Sequence, residues 1–216
     1  GLFGTSRGAV REALRSLRQK GLLEAKKGAK GGYYVKELDI NDAIDHLAVM
    51  IKQQQIPLGK LLEFQHSMDQ AVLVSAVSNG SPIEIEKLLE LTDVLVQLCR
   101  EESPDLEKIS DIDKQLNLMV VKMTQNPFFE WMMRSVQLTF RSYEFIVYEE
   151  PDYRREIAEN WRSVAAAIGK RDLQRALGLY GHWYVMLEKC LLEKFGDAVF
   201  TNQSRPEALH DKDIDN

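Results

Sequence analysis

The sequence predicts a mainly α-helical protein on three observations. Apolar residues recur at helical spacing at the start of the chain and again through residues 40–200. Turn and breaker residues divide that second stretch into segments of about 18 to 24 residues. Within those segments no strand-like alternation of apolar and polar residues is visible.

The first element is a helix beginning near residue 6. Val10, Ala13, Leu14 and Leu17 recur at i, i+3, i+4 and i+7 and form one buried-type stripe. Arg7, Arg11, Arg15 and Arg18 form a second stripe, roughly a third of a turn away. One face packs and the next can meet an anion. Thr5 or Ser6 supplies the N-cap, and Gly21 ends the helix after about four turns.

The following run, LLEAKKGAKGGYYV, reads as two short strands around a tip. That tip carries Lys26, Lys27 and Lys30 with Gly28, Gly31 and Gly32. The glycines permit a tight turn and a close approach of backbone N–H groups to phosphate. A basic helix followed by a basic hairpin suggests a winged helix. Val35 to Leu38 closes the wing, and Asp39 to Asn41 introduces the next helix.

Beyond it, breakers stand at Ile56-Pro57, Asn79-Gly80-Ser81-Pro82, Ser103-Pro104, Asn126-Pro127, Glu150-Pro151 and Gly169 to Arg171. Between them lie helical patterns such as Leu88, Leu89, Leu91, Leu95 and Val96. The expectation is an all-α bundle of about six or seven helices, large enough for its own core. The regular spacing carries no repeat of residue identity, which disfavours a solenoid. The predicted division is 1–38, a partial winged-helix DNA-binding domain; 39–200, a helical effector-binding and dimerisation domain; and 201–216, a polar tail. The aromatic and methionine-rich stretch from Phe128 to Tyr148 is expected to be mostly core.

Charge separates the two parts. Residues 1–36 hold nine Lys/Arg and two Asp/Glu, a balance of +7, so the remainder carries −12 of the total of −5. A DNA duplex attracts the basic end and repels the acidic body, which orients the approach and makes binding salt-dependent. There is no secretory signal and no apolar run of membrane-spanning length. The two cysteines, Cys99 and Cys190, stand at no metal or redox spacing. A cytoplasmic location with reduced thiols is expected.

The run FGTSRGAVREALRSLRQKGLLEAKKGAKGGYYV resembles the second half of the GntR-family winged helix, in which Ser/Thr-Arg is followed by Arg-Glu-Ala-Leu, Gly-Leu and a basic wing. The family's preceding helices are missing from the sequence, and Leu2 and Phe3 fall at the end of the second of them, with Gly4 as the turn. The resemblance implies that Ser6, Arg7, Arg11, Lys27 and Gly28 touch operator DNA, with Arg15 on the same stripe. Arg7 or Arg11 suits guanine, while Ser6 and Lys27 suit phosphate.

Residues 40–195 are similar to the effector domain of the FadR-like subgroup. Asp113 and Asn126-Pro127, in DKQLNLMVVKMTQNP, stand at the family spacing, with Asn117 where the family has histidine. LYGHWYV places His182 in the role of the subgroup's closing histidine. Glu159-Asn160-Trp161 occupies the stretch about 22 residues earlier where a further histidine is expected. Many members hold a divalent metal through one carboxylate and three imidazoles, a set that this chain lacks, so no metal and no other cofactor are expected. Asp113 and Asn117 share one helix face, and His182 meets them from another helix, as a polar cluster lining a cavity or as a structural histidine satisfied by its neighbours. The subgroup's Arg-x-x-Leu-Glu falls on Gln65 to Asp69, without the arginine that would hold a small carboxylate. An acyl ligand, as in the subgroup's namesake branch, is therefore expected, or else an organic acid. Arg141 and Arg162 are candidates for an anionic head group, and Tyr143 for the ligand wall.

The reading is a ligand-responsive transcription regulator, a homodimer bound to double-stranded operator DNA, with no membrane partner and no enzymatic activity. The alternatives are a metal-dependent, organic-acid-sensing regulator of the same subgroup and a helical enzyme with a basic appendage. The enzyme needs a catalytic constellation, and the four histidines, His46, His66, His182 and His210, are dispersed at no catalytic spacing.

Overall fold

The computed structural model describes residue 4 and residues 6–28, 31–37, 39–54, 56–197 and 200, without the side chains of residue 52 and residues 139–144. Among the described residues there are eight α-helices and one two-stranded antiparallel sheet. The chain forms two compact units, residues 1–43 and residues from 44 onward. Thr5, Lys30, Leu38 and the polar tail lie outside the described residues.

In the first unit, α1 spans Arg7–Gln19. The Ser6 hydroxyl accepts a hydrogen bond from the Ala9 N–H at 3.2 Å, satisfying one of the helix's orphan donors. At the other end Gly21 takes φ +72°. Its N–H donates to Arg18 O, and that of Leu22 donates to Leu17 O. This paired closure needs a left-handed residue, which glycine adopts without steric cost. β1 (Leu23–Lys26) and β2 (Gly32–Val35) pair in the register Leu23 to Val35 and Lys26 to Gly32. The tip between them requires glycine, because a Cβ on Gly31 would lie 2.7 Å from Lys26 O and 2.8 Å from Gly28 O. α2 spans Ile40–Gln53, and Asp39 Oδ1 accepts from the Asn41 N–H at 2.9 Å. The boundary between the units falls inside α2, a few residues beyond the wing closure expected from the sequence.

The second unit continues with α3 (Leu58–Asn79), α4 (Pro82–Cys99), α5 (Leu106–Met123), α6 (Pro127–Glu149), α7 (Pro151–Gly169) and α8 (Leu173–Phe195). Every breaker in the sequence falls at one of these boundaries. Proline opens α4, α6 and α7, where its missing N–H leaves no intrahelical bond unmade. Ser81 and Glu84 close a reciprocal capping box at the start of α4. Asp105, Asn126 and Asp172 cap α5, α6 and α8 with their side-chain oxygens.

α4 packs on α5 and α7, α7 on α8, and α5 on α6, while α3 lies against α5 and α8. Their shared interior is filled by Leu88, Leu95, Ile109, Leu116, Ile157, Ile168 and Leu187, each fully buried. The aromatic stretch at the start of α6 is only partly core. Met133 is buried, whereas Phe128, in the first turn, is 67% exposed and lies tilted against the Trp131 ring.

The link from α7 to α8 anchors a distant helix end. Arg171 sits in the left-handed region at φ +58°, and its guanidinium donates to the carbonyl oxygens of Val77 and Gly80 at the end of α3. Those carbonyls have no intrahelical donor, and they carry the negative end of the helix dipole. Arg171→Ala is expected to lower the unfolding free energy by about 1–2 kcal/mol, through loss of charge-assisted hydrogen bonds. Arg171→Gly loses the same bonds but relieves the left-handed backbone, so it is expected to be less destabilised than the alanine variant by about 1 kcal/mol. Urea unfolding of the three proteins checks the order.

Candidate functional site

The first unit presents a cationic face. Arg7, Arg11 and Arg15 follow one side of α1 and are exposed, and none makes an ion pair among the described residues. Ser6 is held at the helix start by its capping bond, which places backbone donors and the first arginine at the same end. On the wing, Lys26 pairs with Glu24 at 2.8 Å and lies 5.1 Å from the Tyr34 ring centre. Lys27 has no ion pair among the described residues. Gly28 takes φ +111°, a conformation that turns the chain at the tip. α1 has no fully buried residue, and Val10 and Leu17 of its apolar stripe are 44% and 38% exposed.

The second unit contains a small polar cavity between four helices. α3 contributes Gln65 and Asp69, one turn apart, and α5 contributes Asn117. α7 contributes Asn160, Trp161 and Val164, and α8 contributes Tyr180 and Trp183. The open space has room for about one water-sized group.

A hydrogen-bond network ties this wall together. The Trp161 indole N–H donates to Asp113 Oδ1 at 2.6 Å. The Asn117 amide donates to Asp113 O at 3.0 Å and to its Oδ2 at 3.3 Å. The Tyr180 hydroxyl donates to Asn117 Oδ1 at 2.6 Å, and the Tyr180 ring meets Trp161 edge-on. The Asn160 amide donates to Leu179 O at 2.9 Å. On the opposite side, the Tyr184 hydroxyl donates to Asp69 Oδ2, with the His66 ring stacked on Tyr184. His66 in turn hydrogen-bonds Gln70.

Both buried carboxyls are destabilised as anions. Burial pushes Asp69 up from the ordinary 3.8 to about 7, against the opposing hydrogen bond from Tyr184. Burial also raises Asp113, against hydrogen bonds from Tyr148 and Trp161 and the charge of Lys114.

The arrangement differs in part from the sequence expectation. Asp113 and Asn117 are together, but His182 does not join them. Its imidazole lies 3.0 Å from Glu156 Oε1, with both side chains about half exposed. The reason is helical phase. Tyr180, Trp183 and Tyr184 share one face of α8 at i, i+3 and i+4, and residue 182 is roughly 100° round from 183. Trp161 and Trp183, themselves 22 residues apart, hold the cavity wall. The side chains of Arg141 and Tyr143 lie outside the described residues. Arg162 is in an exposed ion pair with Glu159.

These residues do not fit a divalent metal. Among the described residues no three His, Cys, Asp or Glu side chains converge. The carboxylate at the expected ligand position accepts hydrogen bonds from Trp161 and Asn117 on its two oxygens. Gln65, Asp69, Asn160, Trp161, Tyr180 and Trp183 were not among the site residues expected from sequence. The available signal was positional, since Gln65, Asp69, Asn160 and Trp161 fall at the missing arginine motif and the missing histidine.

Residues 60–180 match the FCD domain family. Among curated proteins, the chain is 28% identical over 134 residues to the HTH-type transcriptional regulator LutR of Bacillus subtilis (strain 168). That match covers 62% of this chain but only 58% of the relative's length. Among solved structures, the chain is similar to E. coli McbR/YncC, with a TM-score of 0.58 and 20% identity over 88% of this chain and 87% of that one. It is also similar to Lar, which controls the expression of the Listeria monocytogenes agr system and mediates virulence. Here the TM-score is 0.53 and the identity 15%, over 88% of this chain and 82% of that one. At these identities the two structures establish a shared fold.

The buried carboxyl of Asp69 makes stability depend on pH. Its folded pKa lies above the unfolded value, so between about 4 and about 7 the folded protein keeps a proton that the unfolded chain has lost. The penalty is absent below that window and complete above it. Asp69→Asn removes it while keeping an oxygen for the Tyr184 hydroxyl. The stability difference between variant and wild type is expected to grow in the variant's favour from pH 4 to pH 7, by up to roughly 1.4 kcal/mol per pH unit, and then to level off. Denaturant titrations across that range check it, and a difference that is flat with pH would refute the assignment.

Proposed function

The chain belongs to the FCD domain family of GntR-family, FadR-like proteins, and from that premise we propose that it is a ligand-responsive, DNA-binding transcription regulator. The observation that carries this reading is the pairing, in one chain, of two chemically opposite units. A short cationic unit has arginines exposed along one helix face, and a helical unit of the FCD family encloses a polar cavity. The first suits a polyanion and the second the polar head of a small ligand.

In this reading α1 is the recognition helix. Its arginines enter the major groove from a helix start fixed by Ser6, while Lys27 and the backbone around Gly28 meet phosphate. One such helix reads few base pairs, so the reading includes a homodimer on a two-fold symmetric operator in the cytoplasm. No described helix is long and apolar enough to cross a membrane. A ligand in the cavity regulates by binding more tightly to one arrangement of the dimer than to the other, and a few kcal/mol of difference suffices to shift operator occupancy strongly. An enzyme is disfavoured, because both oxygens of Asp113 already accept hydrogen bonds and the cavity side chains form no nucleophile-and-base pair.

Two substitutions separate base reading from phosphate contact. Duplex fragments enriched from genomic DNA by the wild-type protein serve as the target. Arg11→Ala is expected to weaken binding by at least about tenfold with the circular dichroism spectrum unchanged, the loss of a good base contact. Lys27→Ala is expected to weaken binding to all duplexes alike and to reduce the slope of log affinity against log salt by about 1. If Arg11→Ala binds the enriched fragments as wild type does, α1 is not the recognition helix.

A further inference from the structure

We propose that the cavity between α3, α5, α7 and α8 receives the ammonium head of a small amine, held by Gln65 and Asp69. The inference deepens the regulator reading by naming the chemical class of its effector, and it rests on that reading for its regulatory meaning.

The hydrogen-bond inventory of the wall carries the argument. The side-chain donors of Asn117, Asn160, Trp161, Tyr180 and Tyr184 are each engaged by a protein acceptor, while the Gln65 amide and Trp183 indole N–H groups have none among the described residues. Gln65 is 4% exposed, and its Oε1 is buried with no hydrogen-bond partner among the described residues. A buried acceptor without a donor is costly, and a ligand that brings N–H groups removes that cost. One turn further along α3, the Asp69 carboxyl lines the same space, and the residues that line it include no Lys, Arg or His. A carboxylate ligand would therefore meet the Asp69 carboxyl with no cationic side chain in the lining to balance its charge.

Size and surroundings agree with a cation. An ammonium group is about as large as the water-sized group that the space admits. Trp161, Tyr180 and Trp183 supply aromatic rings, whose faces attract alkylammonium ions. Burial holds the Asp69 carboxyl at about 7, and a cation beside it stabilises the charged form that burial disfavours. The same chemistry departs from the acyl or organic-acid ligand expected from sequence.

The test is calorimetric titration of the whole chain with methylammonium chloride and, separately, with potassium acetate at matched ionic strength and pH 8. Saturable methylammonium binding is expected, with no response to acetate. Asp69→Asn and Gln65→Leu are each expected to weaken methylammonium binding by about tenfold or more, as the loss of a charge-assisted or buried hydrogen bond requires. Circular dichroism confirms that each variant is folded, and the two substitutions are independent, so failure of one to fold leaves the other decisive. Binding of acetate, absence of saturable methylammonium binding, or unchanged affinity in a folded variant would overturn the proposal. Binding to enriched genomic duplexes, measured on the same preparations, keeps the two questions apart. A protein that binds DNA but not the amine retains the regulator reading and loses this site. One that binds the amine without any change in DNA affinity keeps the site and loses its regulatory role.

Discussion

The buried carboxylate of Asp113 is the constraint on which the helical unit's interior depends. An acid 2% exposed at the centre of a bundle must be satisfied from several directions, and the helices that satisfy it are thereby fixed in register. Trp161 reaches it from α7, Asn117 from the next turn of α5, and Tyr180 of α8 locks Asn117 in turn. Apolar packing around Leu116 and Ile157 is nondirectional and tolerates sliding, whereas this chain of bonds does not. The cavity exists because polar side chains that bond to one another leave a space that close-packed aliphatic chains would have filled.

What the sequence revealed depended on whether the signal was local. Helix ends were legible because capping and proline chemistry act over a few residues. Ser81-Pro82, Asn126-Pro127 and Glu150-Pro151 each mark a boundary that the fold realises. The wing was legible for the same reason, through glycines whose backbone positions exclude other residues. The cavity depended on long-range proximity. Gln65 and Trp161 are ordinary residues until four helices bring them together, and no spacing within a single segment announces that. The assignment of His182 to the cavity failed by one position in a helix, where one residue is enough to move a side chain from the interior wall to a surface hydrogen bond with Glu156.

The two units stand on different physical footing. The second is held by a core in which whole helices bury their aliphatic faces, and it contains two buried carboxyls at energetic disadvantage, which such a core can sustain. The first has a two-stranded sheet and one helix whose apolar stripe is partly open to solvent. Its order comes from local devices, the Ser6 cap, the closure at Gly21 and the tight tip at Gly31. Packing and exposed charge are thus divided between the units: the second carries the buried core, and the first carries the exposed arginines.

The distribution of indole rings gives the cavity an optical property. Of the three tryptophans in the chain, Trp161 and Trp183 stand at its wall, one hydrogen-bonded to a buried carboxylate and the other edge-on to Tyr184. Only Trp131 is elsewhere, beside Phe128 at the start of α6. Two of the three indole absorbers therefore stand at a single locus, with a buried carboxyl beside one and a phenol beside the other. Changes in the polarity of that small space are written into the protein's own spectrum, without any attached label.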